Sequence, residues 1–398
     1  MFHNSIRPKN HSIVAILKIT QITAIPLSYR LPEGKTVTLG IGSTIKRDTI
    51  IVRVETSEGI MGYGEAHPGR SPGAIVSLIH NTLSPLLVGM DATDCNGAWQ
   101  RVYRMQISSH GLGAGACLAL SGIDMALWDI RGKAAKMPLY ELLGGTRKRI
   151  PAYAGGIALG FQLAESLVEE AREYVDQGYG AIKLRIGDTA KNDIERIIKV
   201  RKALGDDIDI LTDANTAYQI SDVRRVMPVL ADIQAGWLEE PFACNDFASY
   251  LEAAKITSLV PIAAGENHYT RFEFGQMLLA NAVKVWQPDL SKTGGITEGL
   301  RIANMASAFS IPLNAHSSAT GLNHAATLHF LSAIENSGYF EACVSKFNPL
   351  RDMFGTIFKI GSDGCVEPPT GHGLGIDVDE SIFEKYPPID GPGYLVKF

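Results

Sequence analysis

Three carboxylates recur at nearly even spacing in the second half of the chain: Asp213 in "LTDAN", Glu239 in "WLEEP" and Glu266 in "AAGEN", 26 and then 27 residues apart. Each ends a short β-rich run. Singly, each has an ordinary explanation. Asp213 can cap the following helix, Glu239 or Glu240 can form a rim ion pair ahead of a proline, and Glu266 with Asn267 can make another cap. Together, three anions at the same end of three successive strands converge, and in a partly buried site they repel one another unless a cation lies between them. Oxygen-only ligation with room left for water or substrate suits a hard divalent ion, Mg²⁺.

Two further pairs join them. Asp289 in "WQPDLSKTGG" and His316 in "NAHSS" end the next two strands. A carboxylate on one imidazole nitrogen fixes the tautomer and tunes the other nitrogen for acid–base work, although any acceptor would satisfy a purely structural histidine. Lys183 and Arg185 in "GAIKLRIGD" lie two apart in a strand and so share a face. Two cations on an interior face are costly unless paired. Pairing with Asp213 or Glu341 (the latter in "YFEACV") would meet that cost, and so would an anionic substrate.

The elements that must position these groups follow from the rhythm after Ile150. Eight β-rich runs ("IPAYAGG", "GAIKLRI", "DIDILTD", "AGWLEEP", "VPIAAGE", "AVKVWQPD", "IPLNAHS", "GYFEACV") alternate with amphipathic helical stretches. This predicts an α/β fold with a parallel TIM-type barrel, whose active sites form at the C-terminal strand ends. The rival, an open doubly wound sheet, would want a GxGxxG after a strand, and none is present. Before Ile150 the pattern is β from about Lys18 to Ala66, with "DTIIVRVETSEGIMGYGEA" as two strands joined at Glu58-Gly59, and helical from about Pro72 to Leu143. The expected division is a tail at 1–17, an α+β domain at 18–145, the barrel at 146–347, and a Gly- and Pro-rich segment at 348–398 that returns to the α+β domain.

Composition removes other classes. Of 398 residues, 45% are apolar and 20% charged, enough for a large core. A formal charge of −5 recommends neither nucleic acid nor an anionic membrane as partner. "SIVAILKITQITAIPL" is too short to span a bilayer, and the first eleven residues lack the apolar stretch of a signal peptide. Five scattered cysteines without CxxC spacing point to reduced thiols in a cytoplasm.

At "KLR", "TDAN", "WLEEP", "GEN", "QPDLSKTGG" and "NAHSS" the sequence resembles the enolase superfamily, and within it the mandelate racemase subgroup, from Lys18 to near Asp377. The resemblance implies a modified barrel, (β/α)₇β, with an α+β capping domain, and a homo-oligomer between dimer and octamer. It implies Mg²⁺ on Asp213, Glu239 and Glu266, catalysis by the Asp289–His316 dyad, Glu341 as an electrophilic group near the substrate carboxylate, and Asn215 close to metal and substrate. The implied chemistry is removal of the proton α to a carboxylate through an enediolate. Capping loops set substrate choice in this family; here "TLGIGSTIKR" and "AHPGRSPG" are the candidates, with His67 and Arg70 as substrate contacts. Two departures matter. The muconate-lactonizing subgroup carries lysine where Asp289 stands, and the racemases carry a second lysine, a base, where Arg185 stands. Arginine cannot readily serve as a base at neutral pH. The expected reaction is therefore dehydration of an aldonate or aldarate to a 2-keto-3-deoxy acid, with racemisation, epimerisation or lactone cycloisomerisation as the alternative. A non-catalytic barrel that only binds an acidic metabolite would leave the dyad without a purpose.

Overall fold

In the computed structural model, which describes residues 16–110, 113–317 and 319–396, the alternating runs close into a barrel. The N-terminal tail at 1–15 and Ser318 of "NAHSS" lie outside the described residues. Six parallel strands stand side by side in chain order: Ile150–Gly155, Ala181–Arg185, Asp209–Asp213, Leu238–Glu239, Ile262–Ala264 and Val285–Trp286. Phe340–Cys343 pairs with the first of them. The seventh run makes no ladder. Leu313 bridges Trp286 on one side and Ser337 on the other, and Asp289 bridges His316. Pro312 has no N–H to extend the pairing, so single stitches close the wall.

Register decides which side chains meet. Arg185 pairs with Asp213, and Asp213 with Glu239, which lines three charged side chains along one rung of the barrel interior. Beneath that rung lies an apolar plug of Tyr153, Ala181, Leu211, Trp237, Ala263 and Val285. Connecting helices such as Ala190–Leu204 and Ile220–Asp232 bury their apolar stripes against the outside of the strands.

Before the barrel comes an antiparallel sheet of Ile19–Arg30, Lys46–Thr56 and Met61–Ala66, with Lys46–Thr56 in the centre. The helix Gly113–Ala135 crosses it at very close range. A Cβ on Gly64 would stand 2.2 Å from the Gly122 carbonyl oxygen, and one on Gly122 would stand 2.6 Å from a Val52 methyl, so neither site admits a larger residue. This helix is long and apolar enough to cross a membrane, yet it is buried against the sheet on one side and the barrel on the other. On the barrel side Asp124 accepts the Thr297 amide at 2.9 Å and Trp128 Nε1 donates to the Thr297 hydroxyl at 2.9 Å. Gly295, with φ +85°, lets Asp124 approach; a Cβ there would sit 2.3 Å from the carboxylate. The glycines of "KTGG" thus seat the cap directly behind the strand that carries Asp289.

The segment after the last barrel strand touches both parts. Cys365–Val366 pairs antiparallel with Pro151 and Ile150, and Leu374 donates its amide to Asp129 of the long helix at 2.9 Å. Tyr394–Leu395 then pairs with Thr44 and Ser43 of the cap.

Candidate active site

Lys183 and Arg185 both point into the barrel and are buried. Lys183 Nζ lies 2.9 Å from Glu239, 3.1 Å from Glu341 and 3.6 Å from Asp213. Arg185 pairs with Asp213, meets Asn215 Oδ1 at 3.2 Å, and donates to the Gly156 carbonyl. Burial opposes both charges. Glu239 and Glu341 outweigh it for Lys183, and Asp213 and Glu341 do so for Arg185, so both pKa values rise and both groups stay cationic.

The three carboxylates read as metal ligands come to the same end of the barrel but lean onto cations and amides. Asp213 accepts the Asn215 amide at 2.8 Å. Glu239 accepts Trp237 Nε1 at 3.1 Å and Gln287 Nε2 at 2.7 Å. Glu266 meets His316 Nε2 at 2.6 Å, Asn267 Nδ2 at 3.0 Å and Lys292 Nζ at 3.7 Å. Among the described residues, no three His, Cys, Asp or Glu side chains stand close enough together to clamp an ion in these rotamers. The charge balance nevertheless calls for a cation. Six carboxylates (Asp213, Glu239, Glu240, Glu266, Asp289, Glu341) face Lys183, Arg185 and Lys292, with His316 as a fourth positive charge when protonated. Burial, with Asp213 next, pushes Glu239 up to about 7; burial, with Glu266 next, pushes Glu240 up to about 8. With all six ionised and His316 protonated the excess is two negative charges, which the raised pKa values of Glu239 and Glu240 reflect, and oxygen donors carrying such an excess fit a hard dication.

The dyad is sharply defined. His316 Nδ1 lies 2.6 Å from Asp289 Oδ2, while Asp289 Oδ1 accepts the Ser291 amide and hydroxyl at 2.7 Å each and Asn323 Nδ2 at 3.2 Å. Burial raises the Asp289 pKa, but the His316 hydrogen bond and charge outweigh it and hold it at about 2. An ionised Asp289 only accepts, so Nδ1 carries a proton and Nε2 is the nitrogen left to gain or lose one. Burial opposes the imidazolium, yet Glu266 and Glu341 with the Asp289 bond raise the His316 pKa well above its ordinary value. Glu341, 3.8 Å from Nε2, accepts the Gly156 amide at 2.9 Å and the Ser317 amide at 3.3 Å. Lys183 and His316 outweigh its burial and hold it at about 2.

Above this floor opens a cavity of about 430 Å³ between barrel and cap. Arg185, Asn215, Glu266 and His316 line it, as do His67 and Arg70 from the cap; Lys183, Asp213, Glu239, Asp289 and Glu341 lie behind its surface. His67 accepts the Gly69 amide at Nδ1, 3.1 Å away, and burial, with Lys292 next, lowers its pKa to about 3, leaving a neutral imidazole. Arg70 lies over the Tyr394 ring at 4.7 Å and donates to the Ile41 carbonyl. Asn215 (φ +43°) and Glu240 (φ +35°) hold left-handed backbone at the mouth, a conformation costly for residues other than glycine. Glu240, Lys292 and Arg47, which are not among the site residues expected from the sequence, also line the cavity. All three sit inside motifs already singled out, one position from Glu239, three from Asp289, and at the end of "TLGIGSTIKR".

A barrel with charged strand ends, an imidazole–carboxylate dyad and a cap closing the mouth defines the architecture of carboxylate-activating enzymes of the enolase type. Residues 23–144 match the N-terminal domain model of the mandelate racemase / muconate lactonizing enzyme family, and residues 166–382 match the enolase C-terminal domain-like model. The chain belongs to that family. Arabinonate dehydratase of Saccharolobus solfataricus is 35% identical over 85% of this chain and 90% of its own. The 3,6-anhydro-alpha-L-galactonate cycloisomerase of Streptomyces coelicolor is 31% identical over 90% and 96%. Among solved structures, a member of the enolase superfamily from Polaromonas sp. JS666 is 79% identical with TM-score 0.94, covering 96% of this chain and all of that one. A racemase from Streptomyces coelicolor A3(2) with bound magnesium is 28% identical with TM-score 0.82, covering 92% and 99%.

Proposed function

We propose that this enzyme is an acid-sugar dehydratase that takes the proton α to a carboxylate, expels the β-hydroxyl and releases a 2-keto-3-deoxy acid. The observation that carries the reading is the asymmetry of the site. One base of the right kind, His316, is held by Asp289 at 2.6 Å, whereas Lys183 and Arg185 are locked as cations by buried carboxylates. A two-base racemase needs a proton acceptor on each face of the substrate; an elimination needs one.

Asp213, Glu239 and Glu266 are the residues that would hold Mg²⁺, with Asn215 beside them. The ion supplies Lewis-acid stabilisation of negative charge on the substrate carboxylate. Lys183 and Arg185 add positive charge behind it in a water-poor pocket, where such charge counts most. Glu266 meets Nε2 of His316 at 2.6 Å, and were it to turn to the ion it would leave that nitrogen to the substrate. The imidazole takes the α-proton, the enediolate collapses as the β C–O bond breaks, and His316 returns that proton to the departing hydroxyl as water. The resulting enol tautomerises to the keto acid. A positioned base of this kind contributes roughly 10²–10⁴-fold. Five unpaired cysteines suit a reducing cytoplasm.

The test is incubation of matched aldonates and aldarates with enzyme and Mg²⁺ in D₂O, followed by NMR, with EDTA as control. A keto acid without build-up of the α-epimer is expected, abolished by EDTA. Rapid deuterium exchange into both epimers with no keto acid would overturn the reading in favour of a racemase. A rearranged lactone product would favour a cycloisomerase.

A further inference from the structure

Six lysine and arginine side chains are buried among the described residues: Lys46, Arg47, Lys183, Arg185, Arg196 and Lys292. Five have a carboxylate within 4.0 Å. Lys46 meets Asp48 at 3.1 Å, Lys183 meets Glu239 at 2.9 Å, Arg185 pairs with Asp213, Arg196 pairs with Asp193, and Lys292 meets Glu266 at 3.7 Å. Arg47 is the exception. It is 8% exposed, and its guanidinium bonds only to backbone carbonyls, Nε to Phe347 and Nη2 to Lys346, both at 3.3 Å. Burial lowers its pKa; Cys343 and Tyr394 favour the charged form and Arg351 opposes it, and no carboxylate offsets the burial. A buried cation without a counter-ion is unfavourable unless something else supplies the negative charge.

Arg47 lines the cavity that holds Arg185, Glu266 and His316. Arg70 lines it too, over the ring of Tyr394, and has no carboxylate partner among the described residues. The remaining charge on this wall, Asp48, is already spent on Lys46. One end of the cavity thus meets a carboxylate with the barrel cations, while the described residues of the cap side offer two guanidinium groups and, with Asp48 paired to Lys46, no free carboxylate to match them.

We propose that Arg47 and Arg70 form a second anion site which takes the distal carboxylate of the substrate, so that the preferred acid sugar is a diacid, an aldarate, rather than an aldonate. The proposal rests on the dehydratase reading for its substrate class. The site itself recognises an oxyanion, and a terminal phosphate ester would offer the same chemistry. The carboxylate is preferred because a planar, bidentate acceptor matches one free edge of a guanidinium.

Binding tests this without turnover. His316→Asn enzyme loaded with Mg²⁺ is titrated calorimetrically with hexarate, hexonate and hexonate 6-phosphate of matched galacto and gluco configuration. The hexarate of at least one configuration should bind tenfold or more tightly than its hexonate, and also more tightly than the 6-phosphate. Arg47→Gln should collapse the hexarate-to-hexonate ratio towards one, and Arg47→Lys should keep part of it. Should Arg47→Gln fail to fold, the ratio of kcat/KM for the two acids in the unaltered enzyme reads the same preference. Equal affinity for hexarate and hexonate, or tighter binding of the phosphate, would overturn the diacid site. Keto acid formed from hexonates with no hexarate preference would remove this site and leave the dehydratase standing. A hexarate preference without any dehydration would do the reverse.

Discussion

Replacing Lys183 by Met removes the ammonium that three carboxylates share while keeping much of the side-chain volume. At contact distances of 2.9, 3.1 and 3.6 Å, and with an effective dielectric constant of about 20, each attraction is about 5 kcal/mol before desolvation is counted. Desolvating a buried ammonium and its partners costs several kcal/mol per ion. The net loss on breaking such a buried network is about 3–5 kcal/mol, a large part of the ~5–15 kcal/mol that stabilises a typical protein. Urea denaturation in EDTA should show that loss as a lower midpoint. The sign reverses for metal. Lys183 competes with any cation for Glu239, so its removal should tighten Mg²⁺ binding by about tenfold, or about 1.4 kcal/mol of extra stabilisation at saturating ion. Turnover should fall, because charge behind the substrate carboxylate is lost. An unchanged midpoint in EDTA, or a variant that Mg²⁺ stabilises less than the parent, would refute the reasoning.

His316→Asn should abolish turnover while Mg²⁺ binding by calorimetry persists; Asp289→Asn should cost less, because it perturbs the orientation and basicity of the imidazole without removing it. Burial raises Asp124, on the cap helix where it meets the barrel, from the ordinary aspartate value to about 7. Its folded pKa lies above its unfolded one, so its contribution is complete at pH below about 4 and is lost as pH climbs through about 7. Asp124→Asn should therefore gain on the parent between those limits, by at most about 4 kcal/mol, in thermal melts run as a pH series. Parallel stability curves would contradict this.

Much of the barrel was legible because parallel strands buried on both faces read as short apolar runs, and their polar residues fall at one end. Asp213, Glu239, Glu266, Asp289, His316 and Glu341 could be placed on successive strands from that alone. The run at Leu313 reads as a strand like the others, and only the structure shows that it joins by single bridges. Pairing within the site was not legible. Whether Glu266 faces His316 or Lys292 depends on side-chain rotamers across three strands, which spacing cannot encode. Nothing in "SKTGG" or "TLGIGSTIKR" marks Lys292 or Arg47 as buried, since burial of a charge is settled by what distant parts of the chain lay over it. The turns of π-helix at Leu78–Leu83 and Tyr103–Ile107 likewise leave no mark in the apolar periodicity.

Arg47 also holds the backbone of the barrel loop at Lys346 and Phe347 from the cap side. One side chain is thus a tether between domains as well as part of the cavity wall, and this constrains how descendants of the chain can change. A substitution there that alters which acids are accepted also strips two donors from the Lys346 and Phe347 carbonyls, so the first step towards a new diet loosens the hold of the cap. Arg70, exposed and resting on a ring, carries no such debt. Lineages departing from this ancestor should vary first at position 70, and at position 47 only after a compensating donor has arisen nearby.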